Sequence, residues 1–300
     1  MNLYQERSKN VWRTAFLMAG FLAFVLGIGY VVAWYYQSPV ILYGAIVFAI
    51  GMNFYSYWFS GNQVLSMTNA RPASREEFFD FYTVTENLAI TAGMPVPKLY
   101  VIEDPAPNAF ATGRDEKHAV VCATTGLLAI MTRAELEGVI AHELSHVKNR
   151  DILLMTVAVT LAGFLAIIAD MFLRMSFMGG GRDSDSKGNA LFMVLAVIGI
   201  ILAPIAAQLI QLAISRRREF LADASGALLT RYPEGLASAL RKLDQHNMPM
   251  LQTSHATAHL FIDDPFGERK SDWLNSIFST HPPTADRIKA LLGVRPQADA

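Results

Sequence analysis

Four apolar stretches, each close to the roughly 20 residues needed to cross a bilayer, set what this chain can fold into. They run from about Trp12 to Tyr36, from about Val40 to Phe59, from Ile152 to Leu173 and from Ala190 to Ile214. Inside hydrocarbon every backbone N–H and C=O must be paired within its own segment, so such stretches become helices. The first is too long for the apolar part of a cleaved signal peptide, and a second span follows at once. Asp170 and Pro204 in the later pair are tolerated near an interface or within a packed bundle. Composition agrees. Of 300 residues, 52% are hydrophobic and 17% charged, against about 25% charged in a soluble domain.

Lysine and arginine in the flanks set the orientation. Arg7, Lys9 and Arg13 lie at the start of the first span, and Arg71 and Arg75 follow the second. Lys148 and Arg150 precede the third, and Arg216, Arg217 and Arg218 follow the fourth. The QSP link between the first two has no positive charge, and the Gly- and Ser-rich link after the third is mixed. Both termini and the polar sequence are therefore expected in the cytoplasm. The chain divides into a first membrane pair (1–60), a polar segment (61–150), a second hairpin (151–214) and a second polar segment (215–300). Each polar segment alone is small for a core, so the two are expected to pack together.

A net charge of −1 and a sequence pI near 6.7 offer no basic surface, so no nucleic-acid partner is expected. The single cysteine, Cys122, excludes an intrachain disulfide and sits in an apolar run that reads as core. In the first polar segment, SREEFFDFYTVTENLAITAGM reads as an amphipathic helix from an Ser74 N-cap to Gly93. KLYVIED and HAVVCAT read as strands, with NAFAT a short extended piece between them. TRAELEGVIAHELSHVKN opens with Thr132 and Glu135, the pattern of a capping box, so it reads as a helix.

That helix carries HELSH. Positions four apart share a helix face, so His142 and His146 point the same way and can share one tetrahedral zinc. Glu143 lies about 100° round the helix, where it can serve as general base. With seven histidines in the chain, a chance match to this spacing is on the order of one in a hundred. A catalytic zinc needs a third protein ligand. Glu219, Asp223, His246, His255, His259 and His281 are the candidates. Glu219 and Asp223 in SRRREFLADASGALL stand one turn apart, so that one can bind metal while the other orients a ligand histidine. HATAH repeats the histidine spacing without an acid after the first, and reads as a polar helix face. His146 and Glu219 each lie a few residues from a span, so the site is expected at the membrane surface.

PNAFATG, AHELSHVKNRD, RRREFLAD and THPPTADRI occur here in that order between paired spans. Together they make the chain resemble the HtpX-type bacterial membrane metallopeptidases, which are related to the zinc proteases that trim prenylated CAAX proteins. The resemblance covers nearly the whole length. It implies Glu219 as the third ligand to one zinc per subunit, with Asp223 in support and paired to Arg287. It implies that Asn108 lines a substrate cleft on an edge strand, and that His281 steadies the transition state. The expected architecture is an α-rich integral membrane protein, four transmembrane helices carrying a cytoplasmic, zincin-like α+β catalytic domain.

The expected activity is endoproteolysis in the bacterial inner membrane. Polypeptides, mainly damaged or misfolded membrane proteins, would be the substrates and the lipid bilayer a partner, with self-association allowed. An extended substrate would add to the NAFAT edge through its backbone. Two other readings compete: specific processing of the CAAX type, and a non-catalytic scaffold in which zinc is structural. Two histidines and an acid with a base beside them argue against the scaffold, because structural zinc sites are usually closed with cysteines.

Overall fold

A computed structural model of the protein describes residues 3–178, 197, 216–251, 257–267 and 282–293. Three described helices are long and apolar enough to cross a membrane: within α1 (Leu3–Tyr35), α2 (Pro39–Met67) and α6 (Asp151–Met178). The apolar windows of α1 and α2 are only 17% and 11% buried, whereas that of α6 is 72% buried. The first two thus present apolar surface all round, as a helix against lipid does. α6 packs mostly against protein. The expected fourth span, Ala190 to Ile214, lies outside the described residues apart from Val197.

The chain forms two compact units. One comprises Phe16–Ser56 and Val157–Ala213 and holds the greater part of the three long helices; in it Tyr55 packs edge-on against Phe164. The other comprises Met1–Ala15, Tyr57–Thr156 and Ile214–Ala300, and mixes a sheet with helices.

Its sheet has the order β1-β2-β4-β3, from β1 (Arg71–Pro72), β2 (Lys98–Ile102), β3 (Ala109–Thr112) and β4 (Val120–Thr124). β1 runs antiparallel to β2, β2 parallel to β4 and β3 antiparallel to β4. Every residue of β3 and β4 is buried. Their β-branched and small apolar residues follow from cover on both faces. β3 and β1 are the edge strands. α3 (Phe79–Ala92) ends at Gly93, whose φ of 68° suits a residue without a Cβ. The helix starts later than the sequence suggests. Ser74 accepts the Glu77 N–H at 3.1 Å, so it caps a preceding turn rather than α3.

α4 (Thr125–Ile130) follows β4 and leads into α5 (Arg133–Lys148), the central helix. All residues of α5 from Glu135 to Val147 but Glu137 are buried, and Leu136, Val139, Ile140, Ala141, Leu144 and Val147 join the main core. α7 (Arg216–Thr230), α8 (Pro233–Gln245) and α9 (Thr284–Leu291) complete this unit. The capping box forms as expected. Its Glu135 does more than cap. Oε2 accepts from the Thr132 N–H at 2.8 Å and from Lys242 Nζ at 2.6 Å, and Oε1 accepts from Ser238 at 2.7 Å, so the box also ties α5 to α8.

Burial alone would push the Glu135 carboxyl up. The Lys242 ammonium and the Thr132 and Ser238 donors outweigh it and bring the pKa down to about 2. A depressed acid adds stability above its ordinary range and loses it as pH falls toward the folded-state value. We therefore predict that Glu135→Gln destabilises the protein at pH 7 by about 1.5–3 kcal/mol. The difference in melting temperature between variant and unaltered protein should shrink as pH falls from about 4.5 toward 2. A difference that does not change with pH would exclude the charged network.

Candidate metal centre

His142, Glu143 and His146 are buried on the inner face and flank of α5, at 1%, 2% and 5% exposure. Polar groups this deep need partners. α7 crosses α5 at this level and supplies Glu219 and Asp223, both buried. The close crossing depends on Gly226: a Cβ there would stand 3.0 Å from the His142 backbone nitrogen and 3.2 Å from Ala141 C.

Donor atoms from three side chains converge. His142 Nε2 and His146 Nε2 are 3.2 Å apart. Glu219 brings Oε2 to 3.6 Å from the first and Oε1 to 3.5 Å from the second. Tetrahedral ligands about 2.0–2.1 Å from a zinc ion stand roughly 3.3–3.4 Å from one another. The two nitrogens stand near that spacing and each has a Glu219 oxygen close to it, so the three residues suit such an ion; among the described residues they are the group with metal-binding geometry. Two imidazole lone pairs and a carboxylate aimed at one point suit a divalent cation of zinc's kind.

The far side of each ring is also engaged. His142 Nδ1 lies 2.9 Å from Asp223 Oδ1, within ion-pair distance but without the alignment of a directed hydrogen bond. His146 Nδ1 lies 3.0 Å from Asp151 Oδ2. A carboxylate at Nδ1 keeps the proton there and leaves the Nε2 lone pair for the metal. Asp223 is in turn gripped by Arg287, whose Nε and Nη2 donate to its two oxygens at 2.9 and 2.8 Å. Arg287 Nη1 also donates to the Ile262 carbonyl at 3.1 Å.

Electrostatics follow from this layout. Burial pulls the His142 pKa down, but Asp223 and Glu219 outweigh it and raise it to about 9. His146 is raised too, against its burial, by the Glu219 charge and the Asp151 contact. Burial pushes Asp223 up, but the Arg287 charge and the His142 and Arg287 contacts hold it down at about 2. Glu143 shifts upward, chiefly because burial disfavours its charged form. The centre thus pulls positive charge onto its nitrogens, and the same pull favours a metal cation. Its acid beside the ligands is poised to carry a proton.

Other expected residues fall elsewhere. Asn108 is buried at the start of β3 with its amide engaged internally: Nδ2 donates to the Asp263 carbonyl at 3.0 Å, and Oδ1 accepts the Asp263 N–H at 3.2 Å. The Ile262 N–H meets the Ala109 carbonyl at 2.9 Å. The start of the β3 edge is therefore occupied by residues 262 and 263. His259 is buried in a 3-10 turn, Ala258–Leu260, not on a polar helix face, because Phe261 and Ile262 draw this segment into the interior. His246 is exposed at the end of α8. His255 and His281 lie outside the described residues.

Sequence reasoning missed Asp151. On a straight helix, position i+5 lies about 140° round from position i. Here Arg150, at φ 61°, breaks the chain between α5 and α6 and brings Asp151 back to His146. Periodicity carries no signal for that turn.

The model of peptidase family M48 matches residues 77–295. The chain is 45% identical over 295 residues to a Protease HtpX homolog of Caldanaerobacter subterraneus subsp. tengcongensis, covering 96% of this chain and 97% of the relative. It is 48% identical over 281 residues to the Protease HtpX homolog of Pyrococcus furiosus, covering 93% and 94%. The crystal structure of S. mikatae Ste24p superposes with a TM-score of 0.50 at 19% identity, covering 96% of this chain and 67% of that one. At that identity the likeness concerns the fold.

The helix crossing yields a prediction. Gly226→Val should force α7 away from α5, at about 1–3 kcal/mol in stability, and weaken metal binding by pulling Glu219 from the histidines. Melting temperature and chelator competition on the purified variant check both effects. Unaltered metal affinity would mean that the crossing does not set the site.

Proposed function

The chain belongs to peptidase family M48, and from that premise we propose that this membrane metallopeptidase is a zinc endopeptidase of a bacterial inner membrane. Its proposed substrates are misfolded or damaged membrane and cytoplasmic proteins. The observation that carries the reading is the convergence of His142, His146 and Glu219, whose imidazole nitrogens are 3.2 Å apart and each 3.5–3.6 Å from a Glu219 oxygen, with buried Glu143 beside His142 in sequence. Relatives named as proteases align over almost the whole chain.

His142, His146 and Glu219 would hold the zinc. When bound there, zinc supplies Lewis acidity, which polarises a peptide carbonyl and makes water a nucleophile near neutral pH. Glu143 takes the proton from the attacking water and returns it to the nitrogen of the leaving amine. Its upward-shifted pKa suits both halves of that transfer. Asp223, clamped by Arg287, and Asp151 hold the two rings in the orientation that points Nε2 inward. His281 would help at the oxyanion; that role rests on the family resemblance. Asn108 would act on substrate indirectly, by fixing the start of the edge strand.

An extended peptide would pair with β3 beyond the stretch taken by Ile262. Backbone groups alternate sides along a strand, so Ala111 faces the same outer edge as Ala109. Such pairing reads main chain more than side chains, which suits clearance of varied damaged proteins better than processing of one C-terminal motif. Exclusive cleavage of lipidated C-termini would favour the processing reading.

Glu143→Gln should keep zinc and lose cleavage of an unfolded protein such as casein, since an amide can neither take nor return the proton. Glu219→Gln should lose zinc as well as activity, whereas His259→Ala should leave the zinc content unchanged. Metal analysis and proteolysis on the same samples check all three. Cleavage by the Glu143 variant at the unaltered rate would remove Glu143 from the role of base.

The proposed orientation places residues 61–150 in the cytoplasm. In a chain with Cys122 replaced, Gln37→Cys should react with an impermeant maleimide from outside the cell and Glu76→Cys only after the inner face is opened. The reverse pattern would invert the topology.

A further inference from the structure

The turn after the metal-ligand helix is braced by a side chain more than a hundred residues away. Asp151 is fully buried and meets His146 Nδ1 with Oδ2 at 3.0 Å. Its Oδ1 accepts a 2.6 Å hydrogen bond from Asn10 Nδ2 and lies 3.5 Å from Arg218 Nε. Asn10 Nδ2 also donates to the Asn149 carbonyl at 3.0 Å, at the residue that ends α5. Asn10 is itself 1% exposed and stands on α1, inside the first membrane-length window.

A carboxylate fixed at one oxygen can swing about its Cα–Cβ and Cβ–Cγ bonds. Held at both oxygens, it presents a fixed acceptor to the ring beside it, and the ring's rotation is then limited to that contact. One amide NH2 reaches both the carboxylate that meets His146 and the carbonyl at the end of the His146 helix. It therefore clasps the Asn149–Arg150–Asp151 turn from outside. Burying a primary amide costs free energy unless it is hydrogen-bonded. Both bonds are made by Nδ2.

We infer that Asn10 is a positioning residue for the metal centre, coupling the first membrane helix to metal affinity through Asp151 and the α5–α6 turn. This rests on reading His142, His146 and Glu219 as the metal site. Coupling is reciprocal. If Asn10 strengthens metal binding, bound metal must steady α1 around Asn10 to the same degree.

The test uses the full-length protein in detergent, zinc competition against a chromophoric chelator, and the absorption spectrum of the cobalt(II)-loaded protein. Asp151→Asn should weaken zinc binding about 10- to 100-fold, and Asn10→Ala by about 10-fold, the low end of that range. Both should shift the cobalt spectrum, measured at a temperature where the variants remain folded. Asn10→Asp keeps the size, loses the donated bond and sets two carboxylates together, so it should bind zinc more weakly than Asn10→Ala. A residue that merely filled space would rank aspartate nearest the unaltered protein. In the unaltered chain, backbone hydrogen exchange at residues 8–12 should slow on adding zinc.

Folded Asn10→Ala with unaltered zinc affinity and cobalt spectrum would overturn the inference. If the variants do not fold, exchange at residues 8–12 that is the same with and without zinc would overturn it instead. An unaltered protein that binds no zinc would overturn the metal-site reading and this inference with it. A zinc-binding protein indifferent to Asn10 would overturn this inference alone.

Discussion

Two imidazole rings buried at the centre of α5 are held by two carboxylates that come from different places: Asp223 from α7 and Asp151 from the start of α6. An isolated buried charge costs several kcal/mol even after the surroundings relax, so buried carboxylates call for partners. Arg287 answers Asp223 with two hydrogen bonds, and Asn10 and Arg218 answer Asp151. The packing of α7, α9, α1 and the α5–α6 turn around α5 is therefore fixed by charge and hydrogen-bond satisfaction as much as by apolar contact. Breaking one buried pair of this kind by removing a partner typically costs about 3–5 kcal/mol. The proposed metal ligands His142, His146 and Glu219 sit at the middle of that arrangement.

That arrangement is useful chemically. A ligand set already near tetrahedral spacing does not have to reorganise to accept an ion, and ordering that is complete before binding is not charged against affinity. Glu143 benefits differently. It shares the dry interior with Glu219, and its burial favours the protonated form, the state an acid must reach midway through proton shuttling. The different roles proposed for the two carboxylates would thus come from environment rather than residue type.

The β3 edge shows the same economy of backbone. Residues 262 and 263 occupy its start, and Arg287, which pins Asp223, also binds the Ile262 carbonyl. One arginine therefore connects the ligand support to the strand beside which a peptide would lie. Phe261 against Phe110, 5.1 Å between ring centroids, anchors that segment under the edge. The reach of any added strand is set by where this internal pairing stops.

Much of this was legible in the sequence, because local chemistry decided it. Apolar length made α1, α2 and α6 membrane-length helices. The Thr132–Glu135 capping box began α5, and a spacing of four put His142 and His146 on one face. β-branched runs gave β2 and β4. Other features depend on groups far apart in the chain. Ser74 looked like a helix cap, but its own turn claimed it. His259 looked polar and exposed until two apolar neighbours carried it inside. Asp151 had no periodic relation to His146, since a left-handed Arg150 set the angle between them, and nothing near Asn10 points to a partner at position 151. Spacing and apolar length settle locally which residue types could bind a metal and where the described membrane-length helices lie. Which carboxylate meets which ring is settled by the fold, since that depends on buried charges finding partners far away in the chain.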